Sequence, residues 1–277
     1  MWLRWVIVLI GVACSTDPSR PEIEDEASIT TKTVQFEGRS VQVIVDKPQG
    51  TSFDVLMVFH GTVQGEGSHD QLILQAAETT RGAFRSVLDR QDMMIVSVAY
   101  PQSNSLFGDN IVVAEAALLW LKSQPWAKKI FLAGHSQGGY IVTRLNSLHP
   151  TQGVIANAPG PLNLVYRCQL EESGQVGVSS VCALLRNTYG GTAQDPEAYA
   201  RRSLLAFTAG FKSDILFVQG LDDSPIQMHS WPVFKSQVQQ CGTCQQTRFV
   251  DVPGQGHGAL FSSALARTEF NQFINSR

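Results

Sequence analysis

The sequence predicts an α/β fold: a doubly wound, mostly parallel sheet of about eight strands with an inserted lid or cap segment. Three observations predict it. From residue 33 onward, short apolar runs alternate with stretches of helical spacing. The series opens with two alternating segments around Gly38, as an antiparallel hairpin would. The alternation then breaks once, over residues 160–210, and resumes.

The elements follow in order. Residues 33–37 and 40–46 carry period-two alternation and form the hairpin. Residues 54–59 are an apolar run, as expected of a strand buried on both faces. A helix is predicted over 69–90, with Leu72, Ala76, Phe84, Val87 and Leu88 at helical spacing and Gly82 as a break. Residues 93–99 read as a second buried strand, stopped by Pro101. Helix 110–122, strand 129–133, helix 137–148 and strand 153–158 come next. The region 160–210 holds Cys168, Cys182, a Gly/Ser-rich loop and a helix near 196–207, and is expected to lie over the sheet. Strand 215–219, helix 226–239, strand 246–252 and a final helix over 259–274 complete the series.

The chemistry concentrates at Gly134-His-Ser-Gln-Gly-Gly139, where a strand turns into a helix. In an open parallel sheet, ligands gather beyond the carboxyl ends of the strands. A sharp turn there forces Ser136 to a disfavoured positive φ, and its neighbours two before and two after must then lack bulk. Gly134 and Gly138 meet that need, and Gly139 lets the helix approach closely. The turn lifts the hydroxyl clear of the backbone, and the helix N-terminus favours negative charge beside it. The alternative is a Gly-rich turn with a capping serine.

A serine hydroxyl needs a base to become nucleophilic. Of the six histidines, His135 adjoins Ser136 and is expected to point away from it. His69 and His229 fall in helical stretches, His149 sits at a helix end before Pro150, and His60 ends a strand as loop support. His257, in the loop Val252-Pro-Gly-Gln-Gly-His-Gly258 after the last strand, is free to hold an imidazole over the sheet. The carboxylate that orients it belongs to Asp222 or Asp223, after the penultimate strand, the other capping the helix before Pro225. Two backbone N–H groups, those of Gln137 and Thr62 in the loop His60-Gly61-Thr62, are placed to stabilise an oxyanion. No cofactor or metal is implied.

These residues resemble the α/β-hydrolase superfamily over roughly residues 33–277. The segments around 195–207, 214–227 and 252–258 are similar to the catalytic domain of prolyl-oligopeptidase-type enzymes. That resemblance places Asp223, in Gly220-Leu-Asp-Asp223, at the acid position. The chain departs from those peptidases in its His-Gly-Thr loop and in lacking room for a propeller before the catalytic domain. Small secreted serine esterases share the single-domain layout and the His-Gly-x loop. The resemblance implies a serine hydrolase with an acyl-enzyme intermediate, acting on a small-molecule or short peptide acyl substrate. A carboxylic ester is favoured over a peptide or amide, and a catalytically silent binding protein on the same fold is the rival reading.

Composition bounds the rest. In 277 residues, 43% are hydrophobic and 16% charged, enough apolar surface for one large core. The net charge of −3 leaves no basic stripe for a nucleic acid. Residues 5–13 are unbroken apolar. Nine residues rising about 1.5 Å each cannot cross a core of about 30 Å, so 1–13 reads as a signal peptide. Gly11-Val-Ala-Cys14 resembles a bacterial lipobox, with Gly11 where leucine is usual, which makes Cys14 a lipidation site and a membrane tether. The alternatives are a plain secretory peptide or an uncleaved anchor. Residues 14–32 read as a polar, acidic tether, leaving 33–277 as a single domain in an exported chain, either a cell-envelope lipoprotein or secreted. Four cysteines remain, Cys168, Cys182, Cys241 and Cys244, and suggest two disulfides in one of three pairings, with sequence proximity favouring 168–182 and 241–244.

Overall fold

The computed structural model of the protein describes residues 25–63, 65–101 and 106–277. The expected signal peptide over 1–13, the lipidation site Cys14 and most of the tether lie outside the described residues. Eight strands form one sheet: β1 (Ser28–Phe36), β2 (Arg39–Lys47), β3 (Phe53–Phe59), β4 (Met94–Ala99), β5 (Ala127–His135), β6 (Gly153–Asn157), β7 (Ile215–Gly220) and β8 (Thr247–Val252). Their spatial order is β1-β2-β4-β3-β5-β6-β7-β8. Pairings of β1 with β2 and β2 with β4 are antiparallel, and the remaining five are parallel.

The sheet is buried on both faces, and β3 shows how. Val55, Met57 and Phe59 enter the core on one side, while Leu56 and Val58 enter it on the other. Full burial of each such side chain stabilises by about 1.5–3 kcal/mol. The first side is covered by α2 (Ile111–Lys122), α3 (Gln137–Leu148) and α7 (Pro225–Gln239), through Leu118, Leu145 and Phe234 among others. The second is covered by α1 (His69–Val87), α8 (Ala259–Ser262) and α9 (Ala264–Asn275), through Phe84, Leu260, Phe270 and Phe273. This places every β-to-α turn of the parallel part at one rim.

Four expectations change. The strand predicted to open at residue 33 begins at Ser28, inside the stretch read as tether. Residues 28–32 are exposed, but their backbones pair with 43–47 of β2. This outer strand is rich in Thr and carries Lys32, which keeps an open sheet edge unattractive to other strands. Gly82 does not break α1, which runs unbroken to Val87 and stops short of the expected Arg90. The single helix expected over 259–274 is two, divided at Ser263, whose side chain accepts from the Ala266 amide and caps α9.

The fourth concerns the insertion, which holds more helix than expected. It contains α4 (Leu164–Glu172), α5 (Ser180–Tyr189) and α6 (Pro196–Ala200), then a 3₁₀ turn over Leu204–Ala206. Asn163, Ser179 and Asp195 cap the three helices in turn through their side chains. A disulfide joins Cys168 on α4 to Cys182 on α5 across a separation of 14 residues. Closing a loop of that length contributes about 3 kcal/mol in the chain-entropy account. Leu164, Leu185 and Tyr199 share the core that α2, α3 and α7 cover, so the insertion is part of the domain and not a loose flap. The second disulfide joins Cys241 and Cys244 after α7, the pairing that sequence proximity favours.

Candidate active site

Ser136 stands between the last residue of β5 and the first of α3, with φ 57° and ψ −119°. For a non-glycine residue that backbone is costly, about 1–3 kcal/mol, and persists only where neighbours over-determine it. They do. The Ser136 amide donates to the Asn157 carbonyl at 2.9 Å, and its carbonyl accepts from Tyr140 and Gly160 at 3.1 Å each. The flanking glycines are needed for space. A Cβ on Gly134 would lie 2.1 Å from the Gly138 carbonyl oxygen, and one on Gly138 would lie 2.0 Å from that of Phe59. A Cβ on Gly139 would sit 2.9 Å from Pro159 Cα, so this glycine admits the segment after β6 and not β5 itself.

The loop after β3 closes on the same serine. A Cβ on Gly61 would come within 3.3 Å of Ser136 Cβ and 3.8 Å of its Oγ. The Thr62 hydroxyl donates to Gln137 Oε1 at 3.1 Å, so the two expected oxyanion donors belong to residues tied to one another. His60 is 1% exposed and supports this loop. Its Nδ1 donates to the Gly61 carbonyl at 2.8 Å, and the Tyr100 ring stacks on it with centroids 4.1 Å apart.

His257 Nδ1 lies 2.8 Å from Asp223 Oδ2. The Asp223 side chain is 5% exposed and that of His257 44%. Burial pushes the Asp223 carboxyl upward, yet hydrogen bonds from His257, from Gln219 and from the Ser224 amide outweigh it and hold the group below its ordinary range. Asp222 is exposed, and its contact with the loop of His257 runs through its backbone N–H to the Gln255 carbonyl. Neither aspartate caps α7. Ser224 does, accepting from the Gln227 amide. The loops that carry Asp223 and His257 meet at Gly220, where a Cβ would lie 2.1 Å from the Gly256 carbonyl oxygen. Ser136, His257, Gly61 and Thr62 all line one cavity of about 940 Å³.

Other histidines settle elsewhere, with one correction. His149 bonds Glu115 at 2.6 Å and His229 stacks on Tyr166. His135 does not turn away from the site. It lines the cavity, and its ring packs 4.8 Å from that of His257. Its Nδ1 accepts from Asn157 Nδ2 at 2.9 Å. Burial, reinforced by His257, pushes its pKa down to about 4, so it is neutral at about pH 7.

Two groups were missed from the sequence. Gln219, fully buried at the end of β7, donates to Asp223 Oδ2 at 2.9 Å and accepts from Gln227 at 3.0 Å. Asn157, fully buried at the end of β6, holds His135 and accepts from the Leu260 amide. The signal was present: each is a polar residue closing an otherwise apolar strand, and a buried amide must find partners.

No protein-family model and no curated protein sequence matches the chain. Solved structures do match. A hyperthermophilic esterase from the archaeon Pyrobaculum calidifontis superposes with a TM-score of 0.64 at 16% identity, covering 91% of this chain and 85% of that one. The fold is that of the α/β-hydrolases. A thermostable carboxylesterase cloned from a metagenomic library gives 0.61 at 18% identity, over 92% and 90%. The acylaminoacyl peptidase of Pyrococcus horikoshii gives 0.60 at 14% identity over 89% of this chain and 41% of its own, longer chain. In this α/β-hydrolase sheet, the β5–α3 turn and the loops after β3, β7 and β8 meet at one rim.

The buried imidazole of His60 makes stability depend on pH. An unfolded histidine takes up its proton near 6.5, whereas burial lowers His60 in the folded chain to about 4. Between those values the unfolded chain binds a proton that the folded chain does not. The contribution is therefore complete above pH 6.5 and is lost as pH falls toward 4. Urea unfolding is expected to show a loss on the order of 3 kcal/mol from this group, and His60→Asn should flatten the dependence. An unchanged slope in that variant would assign it to other groups.

Proposed function

We propose that this chain is an exported serine hydrolase that cleaves carboxylic esters with Ser136, His257 and Asp223. One observation supports it above others: a serine at positive φ opens on the same cavity as an imidazole hydrogen-bonded to a buried carboxylate. With Nδ1 engaged by Asp223, Nε2 of His257 is the nitrogen left for the serine. In the first half-reaction Nε2 takes the hydroxyl proton as Oγ bonds to the acyl carbon. The carbonyl oxygen becomes an oxyanion facing the amides of Thr62 and Gln137. Collapse of that intermediate breaks the bond to the leaving alcohol, which departs with the proton from Nε2. Water then attacks the acyl-enzyme by the same route, freeing the acid and Ser136. Asp223 stays ionised, fixing the tautomer and stabilising the imidazolium.

The His60-Gly61-Thr62 loop favours esters over amides. The apolar run at 5–13, the motif at Cys14 and the two disulfides favour an oxidising compartment outside the cytosol. A fluorophosphonate probe applied to fractionated cells is expected to label Ser136 in the envelope or secreted fraction. The purified protein is expected to turn over short acyl p-nitrophenyl esters faster than aminoacyl amides. Turnover of amides alone would make it a peptidase. A folded protein that the probe does not label would make it a binding protein, and label confined to the cytosol would remove the export reading.

A further inference from the structure

The cavity above Ser136 has an apolar wall, with Phe107, Leu162, Leu164, Val181 and Ile226, and one permanently charged side chain among its described lining residues, Arg167 on α4. We propose that Arg167 recognises a carboxylate carried by the substrate, so that this site prefers anionic esters. The inference rests on the hydrolase reading above and adds the substrate's charge to it.

The guanidinium is held in place. Arg167 Nε donates to Glu171 Oε1 at 2.8 Å, one helical turn onward, and Nη2 donates to the Gly177 carbonyl at 3.2 Å. Nη1 has no hydrogen-bond partner among the described residues, and the side chain keeps 30% of its exposure. The next residue, Cys168, is tied by the disulfide to α5, whose Val181 also lines the cavity, so the two helices are held to one another. Glu171 does not serve Arg167 alone. It is fully buried, and Arg186 approaches its other oxygen at 3.9 Å. Two guanidiniums thus share one carboxylate, while the adjacent Glu172 is committed to the amide and hydroxyl of Thr192. A planar guanidinium already oriented from behind, facing a partly enclosed cavity with one apolar wall, binds a carboxylate with little ordering cost. If Arg167 only stapled α4 through its i,i+4 pair, its loss would affect every substrate alike.

The test compares matched esters by pH-stat: monomethyl adipate against methyl hexanoate, which differ by a terminal carboxylate in place of a methyl, and 4-acetoxybenzoate against p-tolyl acetate, which carry the difference on the leaving group. The wild-type protein is expected to prefer the anionic member of at least one pair by about tenfold or more in kcat/KM. Arg167→Met should remove that preference while changing kcat/KM for the neutral member by less than about threefold. Arg167→Lys should restore part of it, because the charge remains and the fork is lost. The ratio within each variant is independent of how much protein folds. Cleavage of neutral esters with no preference in either pair, or a preference that survives Arg167→Met, would overturn the assignment and leave the hydrolase reading intact. No turnover of any of the four would overturn both.

Discussion

Replacing His257 by alanine is expected to lower kcat for ester hydrolysis by about 10⁴-fold or more, with an unfolding free energy changed by no more than about 1 kcal/mol. The two halves of that expectation come from different facts. His257 is 44% exposed, so truncation opens no core cavity. Its loss also leaves Asp223 with two donors, Gln219 Nε2 and the Ser224 amide, so the buried carboxylate is not orphaned. In the proposed mechanism the kinetic effect is large because the imidazole acts twice, removing a proton from Ser136 and then giving it to the leaving oxygen. Asp223→Asn should cost about 10⁴-fold as well, since an amide in that place can stabilise the wrong tautomer and carries no charge against the imidazolium. Asp222→Asn is the control. That side chain is exposed, and its residue meets the loop of His257 through a backbone bond, so activity should stay within about twofold. Initial rates on p-nitrophenyl acetate decide the matter. Activity within tenfold of wild type in the His257 variant, or a larger loss at Asp222 than at Asp223, would break the assignment of base and acid.

Much of this arrangement is legible in the sequence because it rests on local chemistry. The serine turn demands small residues at fixed offsets, so Gly134 and Gly138 announce it. The buried strands read as apolar runs because both faces are covered, as Leu56 and Met57 illustrate. What escapes the sequence is decided by tertiary partners. Residues 28–32 are exposed on both faces and become strand only because the β2 backbone offers them a ladder. The helices α4 and α5 span 9 and 10 residues, too short to be stable alone, and depend on caps, a disulfide and the core beneath them. His135 looks misdirected from its position beside Ser136, yet the side-chain amide of Asn157 on the next strand fixes its ring under His257. Gln219 belongs to the site only because β7 ends where the loop of Asp223 begins.

Two glycine-to-alanine changes, Gly138 and Gly82, should move stability in opposite directions, and the contrast tests the packing at the site. Both glycines sit inside helices, where alanine is intrinsically better by about 1 kcal/mol. At Gly82 on α1, nothing lies within 4 Å of an added Cβ, so Gly82→Ala should raise the unfolding free energy by up to about that amount. At Gly138 the same methyl would meet the Phe59 carbonyl oxygen at 2.0 Å, its carbon at 2.6 Å and the His60 carbonyl oxygen at 2.9 Å. These are backbone atoms at the end of a central strand, fixed on both sides by β4 and β5. Relief requires α3 to move off the sheet or the end of β3 to bend, and the expected cost is at least about 3 kcal/mol. Either movement also displaces Thr62 relative to Ser136, so the soluble fraction of Gly138→Ala should lose activity beyond what its folded population explains. Denaturant midpoints of the two variants, read beside activity per folded molecule, measure both effects. If Gly138→Ala folds with wild-type stability and rate, α3 does not press against the end of β3, and the close approach that joins the loop of Thr62 to the serine turn is not there.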